Sequence, residues 1–155
     1  MDRIDRRILA LYQEDTRRIA ASIGAEVGLS AAAVQRRLKR LRADGVIARE
    51  IAVLEPRAVG VPVTCVVLLT MASRSSPAGH LDRFKKNMRS VPEIQQCYHV
   101  TGTSDFVLVV TAASMQDYGA FAHQWFETNE NVTRYETLVV LDRVKTGLSL
   151  PVATG

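Results

Sequence analysis

The sequence predicts an α+β protein in two parts, a small helical region followed by a βαββαβ run. Apolar residues of the first third recur at helical spacing, whereas from Val63 onward short β-branched runs alternate with helical patterns. Charge divides the chain in the same place. Residues 1–60 hold 12 Lys and Arg against 8 Asp and Glu, and residues 61–155 hold 8 of each, so the net charge of +4 belongs wholly to the first part.

Each element has its own signal. Ile4, Ile8, Leu11 and Tyr12 fall on one helical face, with Asp2 placed to cap the start. A second helix is expected from about Arg18 to Val27, ended by Gly28. Ser30 is a natural N-cap for a third helix that runs to Asp44 and stops at Gly45. Two helices joined by Gly28-Leu29-Ser30 form a helix-turn-helix. Val46-Ile47 and Ile51 to Leu54 are expected as two short wing strands, which makes residues 1–54 a winged helix-turn-helix. Residues 55–62, with Pro56, Gly60 and Pro62, are expected to be a linker.

Residues 63–155 then form the second domain. Val63 to Met71 is β-branched and apolar, and Leu81, Phe84, Met88 and Val91 mark one face of a helix. Ile94 to Val100 and Phe106 to Thr111 are two further strands, joined by residues 101–105. Tyr118, Phe121, Ala122, Trp125 and Phe126 give an amphipathic helix, and Val132 to Val144 closes with a strand. The order βαββαβ is that of a ferredoxin-like sandwich, with both helices on one face of an antiparallel sheet. Val66 to Leu69 is apolar without alternation, which calls for cover on the second face by another subunit.

The third helix carries the most specific chemistry. Val34, Leu38 and Leu41 define its buried stripe, and the opposite face presents Ala32, Arg36, Lys39, Arg40 and Ala43 with Gln35 on a flank. Five of the seven residues from Arg36 to Arg42 are basic. A solvated basic face is the bland alternative. The tight preceding turn, the small residues Ala31, Ala32 and Ala33, and the basic ridge at helical spacing favour a helix seated in the DNA major groove. Candidate contacts are Ser30, Ala32, Gln35, Arg36, Arg37, Lys39 and Arg40. Arg36 is suited to guanine and Gln35 to adenine, with Lys39 and Arg40 on phosphates.

Other function classes have little support. Three histidines, His80, His99 and His123, lack metal-ligand spacing to one another or to a cysteine. No phosphate-binding glycine loop, nucleophile elbow or carboxylate pair at helical spacing in an apolar setting is present, so no enzyme and no cofactor are expected. No apolar run spans a bilayer and the N-terminus lacks a signal-peptide pattern. Cys65 and Cys97 sit far apart in apolar runs, as buried thiols of a cytoplasmic protein would.

Ile4 to Leu9, Glu26 to Ser30, Arg36 to Leu41 and Gly45-Val46-Ile47 together resemble the Lrp/AsnC family of feast/famine regulators, and Tyr98 to Phe106 is similar to that family's ligand-loop motif. The resemblance spans nearly the whole chain. It implies an N-terminal DNA-binding domain, a C-terminal amino-acid-sensing domain, and homodimers that assemble further, often to octamers. The effector is then expected at Thr101, Gly102, Thr103, Ser104 and Asp105, with Thr137 a weaker candidate from a facing subunit. A glycine lets backbone amides approach an α-carboxylate, hydroxyls add donors, and Asp105 suits an α-ammonium. A plain polar hairpin with Asp105 as turn-former is the alternative for the loop. The family often has Pro after the Ser and Tyr on the wing, where this chain has Ala31 and Glu50-Ile51. An architectural DNA-binding protein without a ligand response is the rival function.

Overall fold

The computed structural model describes residues 1–72 and 79–153. The chain separates into two units, residues 1–53 with the last stretch from Lys145, and residues 54–144.

In the first unit α1 (Arg3–Glu14), α2 (Ala20–Val27) and α3 (Ala31–Ala43) enclose a core of Ile8, Tyr12, Ile23, Val34 and Leu38. A capping box opens α1: the Asp5 N–H donates to Asp2 Oδ1 at 2.7 Å and the Asp2 N–H donates to Asp5 Oδ2 at 3.0 Å. Helix α2 begins at Ala20, two residues later than the pattern suggests, because the Arg18 N–H closes a turn on the Asp15 carbonyl at 3.2 Å and Ile19 takes an extended backbone. Gly28 takes φ 71°, a left-handed conformation that reverses the chain into α3. The Ser30 hydroxyl then accepts from the Ala33 N–H at 3.2 Å and starts α3.

The expected wing strands do not form. Residues 46–54 carry no strand, since the N–H groups of Val46 and Ile47 are spent on the Leu41 carbonyl at 2.9 and 3.1 Å, closing the end of α3. Val53 is 89% exposed and Leu54 63%, so a ribbon here would bury little. The stretch is tied down instead at Glu50, which accepts from the Tyr12 hydroxyl and from Arg42 at 2.8 Å. The end of the chain returns to this unit: the Gln13 side-chain amide donates to the Leu150 carbonyl at 2.8 Å and accepts from its N–H at 2.9 Å.

The second unit contains β1 (Val63–Met71), α4 (His80–Ser90), β2 (Ile94–His99), β3 (Phe106–Ala112), α5 (Met115–Ala122) and β4 (Val132–Val139). All pairings are antiparallel and the strand order is β2-β3-β1-β4, as a ferredoxin-like sandwich requires. Cys65, Val67 and Leu69 of β1 and Phe106, Leu108 and Val110 of β3 pack beneath Phe84 and Met88 of α4 and Tyr118 and Phe121 of α5. The α5 pattern continues to Phe126, but residues His123–Glu127 form a π-helical turn that keeps Phe126 buried. Strand β4 ends at Val139 rather than Val144. The Val140 N–H donates to the Thr64 carbonyl, and β1 starts one residue before Thr64, so residues 141–144 have no ladder left to extend.

Both described helices of the second unit pack on one face of the sheet, and none of its described helices covers the other. Val66, Leu68, Val107 and Val109 are half-buried there, while Tyr98 and Leu138 are 51% and 47% exposed.

Candidate DNA-reading face and effector loop

Helix α3 buries Val34, Leu38 and Leu41 and leaves Ser30, Ala32, Gln35, Arg36, Lys39 and Arg40 exposed. Of the seven candidates Ser30 serves as the N-cap, and the other six divide into two groups. Arg36 and Lys39 have no acid partner among the described residues, and with Ala32 and Gln35 they form the outward ridge. Arg37 and Arg40 are engaged inside the unit. Arg37 Nη1 donates to Asp2 Oδ2 at 2.6 Å and Asp5 Oδ1 at 2.7 Å, and Arg40 Nη2 donates to Asp5 Oδ2 at 2.6 Å. Asp5 is 1% exposed, Arg37 25% and Arg40 51%, so Arg37 is largely committed to α1 while Arg40 keeps half its surface for a phosphate.

The electrostatics follow from this geometry. The Arg37 guanidinium and the Asp5 N–H hold the Asp2 carboxyl down to about 2. Burial by itself pushes Asp5 up, yet the Asp2 N–H and Arg37 overcome it and leave the group below the usual carboxylate range. A second cluster fixes the far end of α3: Arg42 donates to the Tyr12 hydroxyl at 2.8 Å, lies 5.5 Å from the Tyr12 ring centroid, and pairs with Glu50.

Sequence reasoning passed over Asp5, Glu50 and Gly24. Asp5 stands three residues after the cap, the second half of a capping box, and that spacing was the available signal. Gly24 is an isolated glycine inside a helical pattern, which points to a close approach. A Cβ there would lie 2.3 Å from the Leu29 carbonyl oxygen. No local signal marks Glu50, whose partners are 8 and 38 residues away.

In the second unit, residues 101–105 join β2 to β3 as a projecting loop anchored at one end. The Val100 N–H donates to the Asp105 carbonyl at 2.9 Å and the Asp105 N–H to the Leu69 carbonyl at 2.8 Å. Asp105 Oδ2 accepts from the Met71 N–H at 2.7 Å, so one carboxylate oxygen has a turn-holding job. Thr101, Gly102 and Thr103 are exposed, and the hydroxyls of Thr101, Thr103 and Ser104 have no partner among the described residues. Gly102 takes φ 130°, a backbone shape that favours glycine. Thr137, expected to act from a facing subunit, lies apart from the loop of its own chain. It pairs with Val67 in the middle of the sheet, and its hydroxyl lies 2.5 Å from the Tyr118 hydroxyl under α5.

A basic helix-turn-helix followed by a ferredoxin-like sandwich is the layout of a two-domain DNA-binding protein. Comparisons with known proteins agree. Residues 1–42 match the AsnC-type helix-turn-helix domain and residues 64–150 match the Lrp/AsnC ligand binding domain. A helix-turn-helix-type transcriptional regulator of Sinorhizobium fredii is 40% identical over 98% of this chain and 89% of its own length. An AsnC family transcriptional regulator of Agrobacterium tumefaciens is 32% identical, with a TM-score of 0.88 over 97% of each chain. A Neisseria meningitidis transcriptional regulator solved as an L-Met complex is 25% identical, with a TM-score of 0.89 over 97% of this chain and 96% of that one. The chain belongs to the Lrp/AsnC family and is a helix-turn-helix transcription regulator with a ligand-binding domain.

Proposed function

We propose that the chain reads double-stranded DNA through Ala32, Gln35, Arg36 and Lys39, and that an amino acid bound at residues 101–105 alters its assembly or DNA affinity. The observation that carries the first half is the division among the arginines. Arg36 and Lys39 point outward unpaired among the described residues, where a groove-seated helix needs them, while Arg37 and Arg40 are held by Asp5. The uncommitted hydroxyls beside Gly102, and the L-Met complex of the Neisseria relative, support the second half. The chain then works in the cytoplasm, where its DNA lies.

The test is binding of operator and random DNA across a salt series. Arg36→Ala is expected to weaken operator binding by about 1–3 kcal/mol and to relax base preference. Lys39→Ala is expected to weaken all DNA alike and to lower the salt slope by about one. Unchanged affinity and footprint in both variants would remove α3 from the groove.

The uncovered sheet face supports assembly with a second copy. Val66, Leu68, Val107, Val109 and Leu138 form a contiguous apolar surface of the kind that soluble monomers rarely leave in water. Val109→Asp is therefore expected to shift the protein to monomer in sedimentation, with its helical content kept. A fully retained oligomer would place the contact elsewhere.

A further inference from the structure

Between α4 and the β2 edge of the sheet lies a solvent-open cavity of about 200 Å³, lined by Lys85, Arg89, Cys97, His99 and Phe106. Lys85 and Arg89 are four residues apart and so share one face of α4. The imidazole of His99 stacks on Phe106 with ring centroids 4.9 Å apart, and these two residues are register partners across the strands. They are also the last residue of β2 and the first of β3. The cavity is thus framed by the same two residues that lead into and out of the loop 100–105.

Its electrostatics are one-sided. Lys85 and Arg89 line it, and among the described residues no carboxylate does. Asp82 is 3.8 Å from Lys85 and 87% exposed, a loose surface pair worth little. Arg89 has no acid partner among the described residues. Burial pushes the Cys97 thiol up, which keeps it neutral, so it does not offset the cations. An apolar side chain placed here would offer the two cations no acceptor and an amide one neutral oxygen, whereas a carboxylate would accept charge-assisted hydrogen bonds from both.

We infer that the effector is an amino acid with an acidic side chain, whose second carboxylate sits between Lys85 and Arg89 while its α-amino acid group lies on residues 101–105. The inference rests on the loop being the effector site, so the experiment separates the two. Calorimetry on the full chain with glutamate, glutamine, aspartate, asparagine and leucine is expected to show an acid bound at least roughly tenfold tighter than its amide. Lys85→Met and Arg89→Met should each erase that difference while leaving the weaker amide affinity in place. Iodoacetamide labelling of Cys97 should slow when the acid is bound, with fully buried Cys65 as the internal reference.

Asp105→Asn tests the loop itself, because asparagine keeps an acceptor for the Met71 N–H but loses the negative charge. Loss of acid and amide binding together in this variant supports the loop site. Equal affinity for acid and amide in the unaltered protein, or an acid preference that survives both α4 substitutions, overturns the cavity assignment and leaves the loop standing. Full acid binding in Asp105→Asn, or no binding of any amino acid, overturns the loop site and the inference with it.

Discussion

Replacing Gly24 by alanine is expected to destabilise the N-terminal unit by about 2 kcal/mol and to abolish operator binding at concentrations where the unaltered protein is saturated. Alanine is the better helix former by about 1 kcal/mol, so the local preference of α2 alone predicts a gain. Packing decides otherwise. The added Cβ would meet the Leu29 carbonyl oxygen at 2.3 Å, and that oxygen belongs to backbone that cannot rotate aside as a side chain can. Overpacking of this kind costs about 1–3 kcal/mol or more, which outweighs the propensity gain. Relief requires α2 and the turn to separate, and Ser30, the N-cap of α3, is the next residue along. Chemical denaturation read with DNA binding is the check. A variant as stable as the original that binds operator normally would show that the turn tolerates the shift.

The second large effect is expected at Asp5. Asp5→Asn should cost about 2–3 kcal/mol at neutral pH, below the roughly 3–5 kcal/mol of a fully buried broken pair, because Arg37 and Arg40 keep 25% and 51% of their surface in water. The pH dependence has a definite sign. The folded-state pKa of Asp5 is depressed, so its contribution is complete above the unfolded value near 4 and is lost as pH falls below that. Asp2, held down to about 2, titrates in the same window. Acid should therefore weaken the unaltered protein from about pH 4 downward, and Asp5→Asn should flatten that profile. The same substitution releases Arg40, while Asp2 still holds Arg37 at 2.6 Å, so binding to random DNA should strengthen and its salt slope should steepen by about one. A pH profile unchanged by the substitution would remove Asp5 as the keystone, and an unchanged salt slope would mean Arg40 does not reach phosphate.

Regular elements were legible because their signals are local. Strand β1 runs from Val63 to Met71 as the residues suggested, and the α3 cap at Ser30 and its buried stripe were readable from spacing alone. The wing failed because its first N–H groups were claimed by the end of α3, a competition that β-branched composition does not reveal. The overlong last strand failed similarly, since its length is set by where β1 begins. At the candidate sites, residue types were readable but their engagements were not. Arg36 and Arg37 are adjacent and chemically identical, yet 100° of helical rotation points one at solvent and the other at Asp5.

By itself the sequence determined the element order, the basic face of α3, the glycine loop after β2 and the family. The first three follow from periodicity, capping and composition, which act over a few residues, and the family from the resemblance of its motifs. Only the tertiary structure decided which cations remain available, that the Thr137 hydroxyl meets that of Tyr118, that Asp105 already holds Met71, and that Lys85 and Arg89 line one cavity with His99 and Phe106. Each of these depends on groups brought together from distant parts of the chain. A side chain's chemistry is set by its residue type, but its employment is set by what the fold places within hydrogen-bond reach.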